Sequence, residues 1–291
     1  MAVDANTIKT TDLVAQSIDF TEQFSQGLST LLNVLGVTRK QALSQGSVIK
    51  FYKTEGTLAS GDVAEGEIIP LSKVTRKEAG TQELKFNKWR KITTAEAIQK
   101  GGFNQAVQTT DQKLLRLVQD QVKSNWFNFL TTATGTTSTN GVGFQAAVAN
   151  AIGQFNVVWE GYGVQPVAFI NPLDVYAYLA QAPVSTQTAF GLNYIENFMG
   201  FSAVILSASV PAGKIYVTAP DNINLAYADL HGDLSGAFNF TTDQTGLIGV
   251  AHNELLNAMS YETVVTTASV LYPEISAGII VSDIRTATAS K

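Results

Sequence analysis

Cysteine is absent from this 291-residue chain, which excludes a disulfide framework, thiolate catalysis and Cys-ligated metal sites, and fits folding in an intracellular compartment. Histidine is scarce: His231 and His252 are the two imidazoles available for general-base work. No Gly-x-Ser-x-Gly elbow, Walker loop or His-Glu-x-x-His motif accompanies them. Charged residues make up 15% of the chain, against about 25% in average soluble domains. No apolar run approaches the roughly 20 residues of a membrane-spanning helix. Met1 to Asp12 is polar and lacks the apolar centre of a signal peptide.

The little charge there is lies in two blocks. Residues 39–100 hold twelve of the nineteen Lys and Arg against seven acids, a net +5. The rest holds seven bases against seventeen acids, and Ser124 to Ile284 carries eleven acids with Lys214 as its one base. A basic segment and an acidic body in one chain favour heterologous, head-to-tail contact between copies. The formal charge of −5 argues against gripping nucleic acid, which takes net positive surface. An apolar share of 45% is enough to bury a sizeable core.

Periodicity orders the segments. Residues 12–35 form an amphipathic arm, with Leu13, Ile18, Phe20, Phe24, Leu28, Leu31, Leu32 and Leu35 recurring at helical intervals up to Gly36. Val48 to Thr54 and Glu83 to Thr93 are strand candidates, expected to pair as a long hairpin around the turn-rich stretch from Glu55 to Gly80. That stretch lacks a periodic apolar face, so its order is expected from neighbouring subunits. Residues 104–131 give the longest helix, with Asn104 or Asp111 as N-cap and a stripe through Val107, Leu114, Val118, Val122, Trp126 and Phe129 or Leu130. Thr131 to Gly143 reads as a linker. An α/β region follows, with a helix over 144–159, a strand over Pro166 to Ile170, an Asn171-Pro172 helix start and further strands, before two β-rich stretches close the chain.

Enzyme-like clusters have plainer readings. Gly141-Val142-Gly143-Phe144-Gln145-Ala146 imitates a dinucleotide fingerprint, but the expected linker stands where the strand should be. Asp229, His231 and Asp233 alternate as metal ligands on a strand would, yet Gly232 and Gly236 favour a solvated turn. Glu65 and Glu67 lie in a polar loop that would not raise a carboxyl pKa. Phe86 and Trp89 among the basic residues could stack on bases, but Glu78 and Glu83 favour contact with a neighbouring subunit. No catalytic, cofactor-binding or metal-ligating residue is assigned.

The joint order of several local sequences resembles the major capsid proteins of tailed bacteriophages with the Hong Kong 97-type fold, in particular those of siphophages of Gram-positive bacteria. The resemblance is carried by the arm, by Gly56-Thr57-Leu58-Ala59-Ser60-Gly61 running into Val63-Ala64-Glu65-Gly66-Glu67-Ile68-Ile69-Pro70, by Asn171-Pro172 after a strand, and by Gly200-Phe201 leading to Val204-Ile205-Leu206-Ser207 and Val210-Pro211-Ala212-Gly213-Lys214. It implies an α+β fold with an N-terminal arm (1–45), an extended β-hairpin loop (46–95), a peripheral domain with a long spine helix (96–137 and 250–291) and an axial domain (138–249). It also implies a structural, non-enzymatic subunit forming pentamers and hexamers of an icosahedral head around double-stranded DNA, without sequence-specific binding, membrane contact or cofactor. A portal and, since the arm starts close to Met1, a separate scaffold protein are the implied partners; assembly takes place in the host cytoplasm and the product is a virion. Phe20, Phe24, Leu31, Lys73, Arg76, Lys77, Lys85, Lys88 and Arg90 are the expected subunit-interface residues. The alternatives are an encapsulin-like bacterial compartment and, from another class, a soluble α/β enzyme or binding domain.

Overall fold

The computed structural model describes residues 28–37, 39–44, 46–64, 66–181, 186–189, 192–242 and 245–286. Helix α1 (28–34) leads into strand β1 (Lys40–Ala42), then β2 (Val48–Thr57), β3 (Lys73–Glu83) and β4 (Asn87–Thr94). Helices α2 (Ala95–Phe103) and α3 (Thr109–Thr132), strand β5 (Thr137–Val142), helix α4 (Phe144–Val158), strand β6 (Val167–Ile170) and helix α5 (Pro172–Tyr178) follow. Strands β7 (Gln187–Ala189), β8 (Leu192–Phe198), β9 (Phe201–Leu206), β10 (Lys214–Thr218) and β11 (Ile223–Tyr227) precede helix α6 (Asp233–Phe238). The chain closes with β12 (Thr241–Thr242), β13 (Ile248–Leu255), β14 (Ser260–Thr267), β15 (Ser269–Pro273) and β16 (Ile280–Arg285).

These strands form four sheets, in the orders β5-β16-β10-β6-β9-β8-β7, β12-β13-β14-β4, β1-β11-β15 and β2-β3. The central strands of the seven-stranded sheet, β10, β6 and β9, are buried on both faces, their side chains alternating between the two. Ala168, Ile170, Val204, Leu206, Ile215 and Val217 pack with α4 and α5, whereas Val167, Phe169, Ile205 and Tyr216 join the main core with α3. Phe127 and Phe129 of α3 meet the Phe169 ring at centroid distances of 5.4 and 6.5 Å. Trp126 lies fully inside and donates from Nε1 to Ser269 Oγ at 2.9 Å.

Helix α1 ends where glycine allows it. Gly36 has φ +67°, its N–H reaches the Asn33 carbonyl and the Val37 N–H reaches the Leu32 carbonyl, the paired bonds of a Schellman stop. Helix α5 starts as expected, with Asn171 Oδ1 accepting from Leu173 N at 3.0 Å and Pro172 in the first turn.

Three expectations are corrected. The hairpin forms between β2 and β3, from Val48 opposite Glu83 to Thr57 opposite Lys73; β4 instead pairs with β14, from Asn87 opposite Thr267 to Thr94 opposite Ser260. Leu84 separates the two roles, because it buries itself against Ala228 and Ala268 at the hairpin's foot. The expected 104–131 helix opens with a π-turn over Asn104–Gln108 and continues as α3, and neither Asn104 nor Asp111 caps it; α2 runs into it from the N-terminal side, broken at Gly102 with φ +77°. The Thr131–Gly143 linker contains β5, an edge strand parallel to β16. The last strands divide among three sheets: β13 and β14 join β4, β15 joins β11 and β16 enters the seven-stranded sheet.

The contact between β5 and α4 requires glycine. A Cβ on Gly141 would lie 2.2 Å from the Ala147 nitrogen, while a Cβ on Gly153 meets nothing within 4 Å. Gly141→Ala is expected to lower stability by about 1–3 kcal/mol, and Gly153→Ala, inside α4, to raise it by about 0.4–1 kcal/mol. Thermal unfolding of the unassembled subunit checks both; a neutral Gly141→Ala would contradict the close approach.

Candidate subunit interface

The β2-β3 ribbon pairs with no other strand among the described residues, and a lone two-stranded ribbon is marginal in water. Beyond it, the tip (58–72) is closed by Ala59 N–H donating to Ser72 Oγ at 3.1 Å. It presents apolar side chains to solvent: Leu58 is 90%, Ile68 94% and Leu71 95% exposed, with Ile69 close behind. Contiguous exposed apolar surface of this kind marks an interaction site. The tip also carries Asp62, Glu65 and Glu67 and no Lys or Arg, so the loop is acidic at its end and basic along its shaft and foot.

The expected interface residues fall into different places. Phe20 and Phe24 lie outside the described residues. Leu31 is a correction: it is 1% exposed within the main core of its own chain, beside Leu28, Leu32 and Leu35, because α1 packs inward and is not a free arm. Lys73 and Arg76 are on β3, opposite Thr57 and Thr54, and Lys77 lies opposite Lys53; the Arg76 side chain lies outside the described set. Lys85 pairs with Glu83 at 2.8 Å, Arg90 with Glu262 across β4 and β14, and Lys88 stands over the Phe86 ring at 5.7 Å. Acids of the same chain therefore already meet part of the basic block. The sequence reading missed Leu58, Ile68, Ile69 and Leu71; the signal was there in the Ile-Ile-Pro-Leu run, but aperiodic apolar residues among glycines were read as loop.

A second missed feature is a polar junction beneath the start of α3. Lys91 of β4 donates from Nζ to Val107 O at 3.2 Å, Thr110 Oγ1 at 2.7 Å and Asp111 Oδ1 at 2.5 Å, while His252 Nε2 of β13 lies 3.4 Å from Asp111 Oδ2. Burial alone would raise the Asp111 carboxyl pKa. The hydrogen bonds from His252 and Lys91, with the Lys91 charge, outweigh it and hold the carboxyl below its usual range. The His252 ring stacks on Tyr261 at 5.7 Å, and the Tyr261 phenol is pushed up by burial and by the nearby Asp111 and Glu254 carboxylates.

The enzyme-like motifs resolve into structure. Asp229 and His231 pair at 2.6 Å in an exposed turn and Asp233 opens α6. Among the described residues no group of three His, Asp or Glu is placed to hold a metal. The strand that the sequence reading denied to Gly141-Val142-Gly143 is present, since β5 runs into Gly143 at φ +82° and then α4. Packing explains these glycines: Gly141 is pressed on Ala147, the Gly143 N–H is held by Arg285 O at 2.8 Å and Gly143 O accepts from Ala147 N.

No protein-family model matches the sequence, and no curated protein matches it. Solved structures do match. A virus-like particle from Pyrococcus furiosus is 13% identical over 91% of this chain and 98% of its own, with a TM-score of 0.53. The holo-SrpI encapsulin complex from Synechococcus elongatus is 14% identical over 87% and 88%, with a TM-score of 0.56. The procapsid of satellite phage P4, including its size determination protein, is 10% identical over 99% and 95%, with a TM-score of 0.51. The chain has the Hong Kong 97-type fold. In that fold α3 corresponds to the spine helix and β2-β3 to the extended loop.

In this Hong Kong 97-type chain the junction ties the spine helix to the four-stranded sheet. Asp111 has a depressed pKa in the folded state, so its stabilisation is present above the unfolded value of about 3.9 and is lost as pH falls through the lower folded value. Asp111→Asn is expected to cost about 3 kcal/mol at pH 7, where Lys91 loses its buried partner. The gap to the parent should narrow as pH falls below about 4, through the lower folded value. Denaturant unfolding at the two pH values checks it; a gap independent of pH would contradict the ion pair's role.

Proposed function

We propose that the chain is the major capsid subunit of a tailed bacteriophage, assembling with itself into an icosahedral head around double-stranded DNA without catalytic turnover. The observation that carries this reading is a Hong Kong 97-type fold whose extended loop ends in apolar side chains left exposed by the described residues of its own chain. Such a tip requires a neighbour, and a contact between unlike surfaces of identical subunits repeats into rings. The matched shells span nearly the whole chain, as the phage P4 procapsid does over 99% of it. The acidic body from Ser124 to Ile284 supports a shell that contains its DNA and does not grip it.

The same reading takes 1–45 as the arm, 46–95 as the loop, 96–137 with 250–291 as the peripheral domain and 138–249 as the axial domain, and Phe20 and Phe24 as contacts with an adjacent copy. A portal and a separate scaffold protein complete assembly in the host cytoplasm. An encapsulin-like compartment is the second reading, favoured by the likeness to the Synechococcus elongatus complex; there the shell would hold protein cargo.

Electron microscopy of the purified protein is expected to show closed shells, and extraction of their contents distinguishes DNA from protein cargo; small oligomers only would overturn both readings. Free subunits should be cut first by a protease within 58–72, where burial is least, and assembled shells should resist cleavage there. Equal cleavage in the two states would remove the tip from the interface.

A further inference from the structure

We propose that a hollow on the body of the subunit binds a free aliphatic diamine, its two ammonium ends held by carboxylates and its carbon chain lying against aromatic rings. The hollow measures about 440 Å³ and is bounded by Trp159 and Tyr162 after α4, by Asp221 before β11, by Glu274 after β15 and by Arg39 before β1. All of these residues belong to one subunit, so the inference stands apart from the assembly reading above.

The walls of the hollow are fixed from behind. Trp159 Nε1 donates to Gly278 O at 3.2 Å, and a Cβ on Gly278 would lie 2.5 Å from the indole, so glycine is needed there for the ring to seat. The chain then turns through Gly161 and Gly163, both at positive φ, and returns the exposed Tyr162 ring edge-to-face to Trp159 at 5.4 Å. Buried Asn222 braces the acidic side. Its side chain donates to Ile275 O at 2.9 Å and accepts from Ile275 N at 2.7 Å, while its carbonyl accepts from Glu274 N at 2.9 Å. Asp221 and Glu274 are thereby tied to each other through their neighbours, at one hollow with the aromatic pair.

Charge and lining select the ligand. Asp221 makes no ion pair or side-chain hydrogen bond among the described residues. Glu274 meets Arg39 at 2.7 Å, but the two side chains are 49% and 69% exposed, and an ion pair so open to water is weak and exchangeable. The hollow thus sets two carboxylates and two aromatic rings against one guanidinium, which is the recognition chemistry of an organic cation. A metal ion gains nothing from the rings, and a neutral apolar molecule gains nothing from the carboxylates. Two carboxylates on separate elements match a ligand charged at both ends, whereas a lysine side chain satisfies only one of them. Arg39 is then the resident competitor, displaced when an ammonium takes Glu274.

Trp159 is one of three tryptophans, and its place in the wall makes fluorescence the readout. Titration of the full chain with putrescine is expected to give a saturable change in tryptophan emission, matched by calorimetric binding. Butylamine, with a single ammonium, is expected to bind about tenfold more weakly. Asp221→Asn and Tyr162→Ala are each expected to weaken putrescine about tenfold, whereas Arg39→Gln is expected to tighten it about threefold by freeing Glu274. Circular dichroism of each variant separates lost binding from lost folding. Magnesium or butanediol binding as well as putrescine, or weaker binding in Arg39→Gln, would overturn the proposal. So would binding to free subunits that disappears in assembled shells, since the hollow would then belong to a side chain of the neighbouring copy.

Discussion

Burial of one face of the spine helix is the constraint on which the rest of the structure depends. Val118, Val122, Trp126, Phe127 and Leu130 of α3 are all nearly inaccessible, and each such side chain contributes about 1.5–3 kcal/mol relative to exposure. The same helix meets three sheets. Its phenylalanines pack on Phe169 of the seven-stranded sheet, Trp126 is hydrogen-bonded to Ser269 of β15, and Asp111 is held by Lys91 and His252 of the four-stranded sheet. Truncating that face would uncouple all three at once.

A chain anchored this way can leave other parts bare. The extended loop departs from the foot marked by Leu84 and forms almost no core of its own, so its order depends on what covers it. Under the proposed assembly, the loop can join neighbours at little cost to a fold already held around α3. The polar junction fits the same division. It ties the helix to the sheet at the point where Gly102 and the π-turn interrupt the helical hydrogen bonding, and π-turns recur at functional or strained positions.

Strong local signals were legible in the sequence. The stripe of α3, the Asn171-Pro172 start, the stop at Gly36 and the buried strand at 167–170 follow from periodicity and capping chemistry, which act between residues near in sequence. The strand pairings were not legible. Glu83 to Thr93 looked like the partner of β2 because it came next and alternated, but hydrogen bonding to β14 lies far along the chain. The strand at 137–142 was hidden because its Thr, Ser, Asn and Gly residues have no apolar pattern, and its neighbour, β16, is nearly the last element.

Leu31 and Asp111 show the same limit at single residues. An amphipathic stripe states that one face will be buried and is silent about whether its own chain or another covers it, so Leu31 read as an interface and proved to be core. A carboxylate in the first turn of a helix reads as a cap until tertiary structure brings Lys91 and His252 beside it. The sequence alone determined the order of the segments and the opposed charges of the two blocks, since these are properties of residues and their spacing. The tertiary structure decided which strands pair and which apolar residues are left bare at 58–72, because burial and distance in space are set only once the chain has closed on itself.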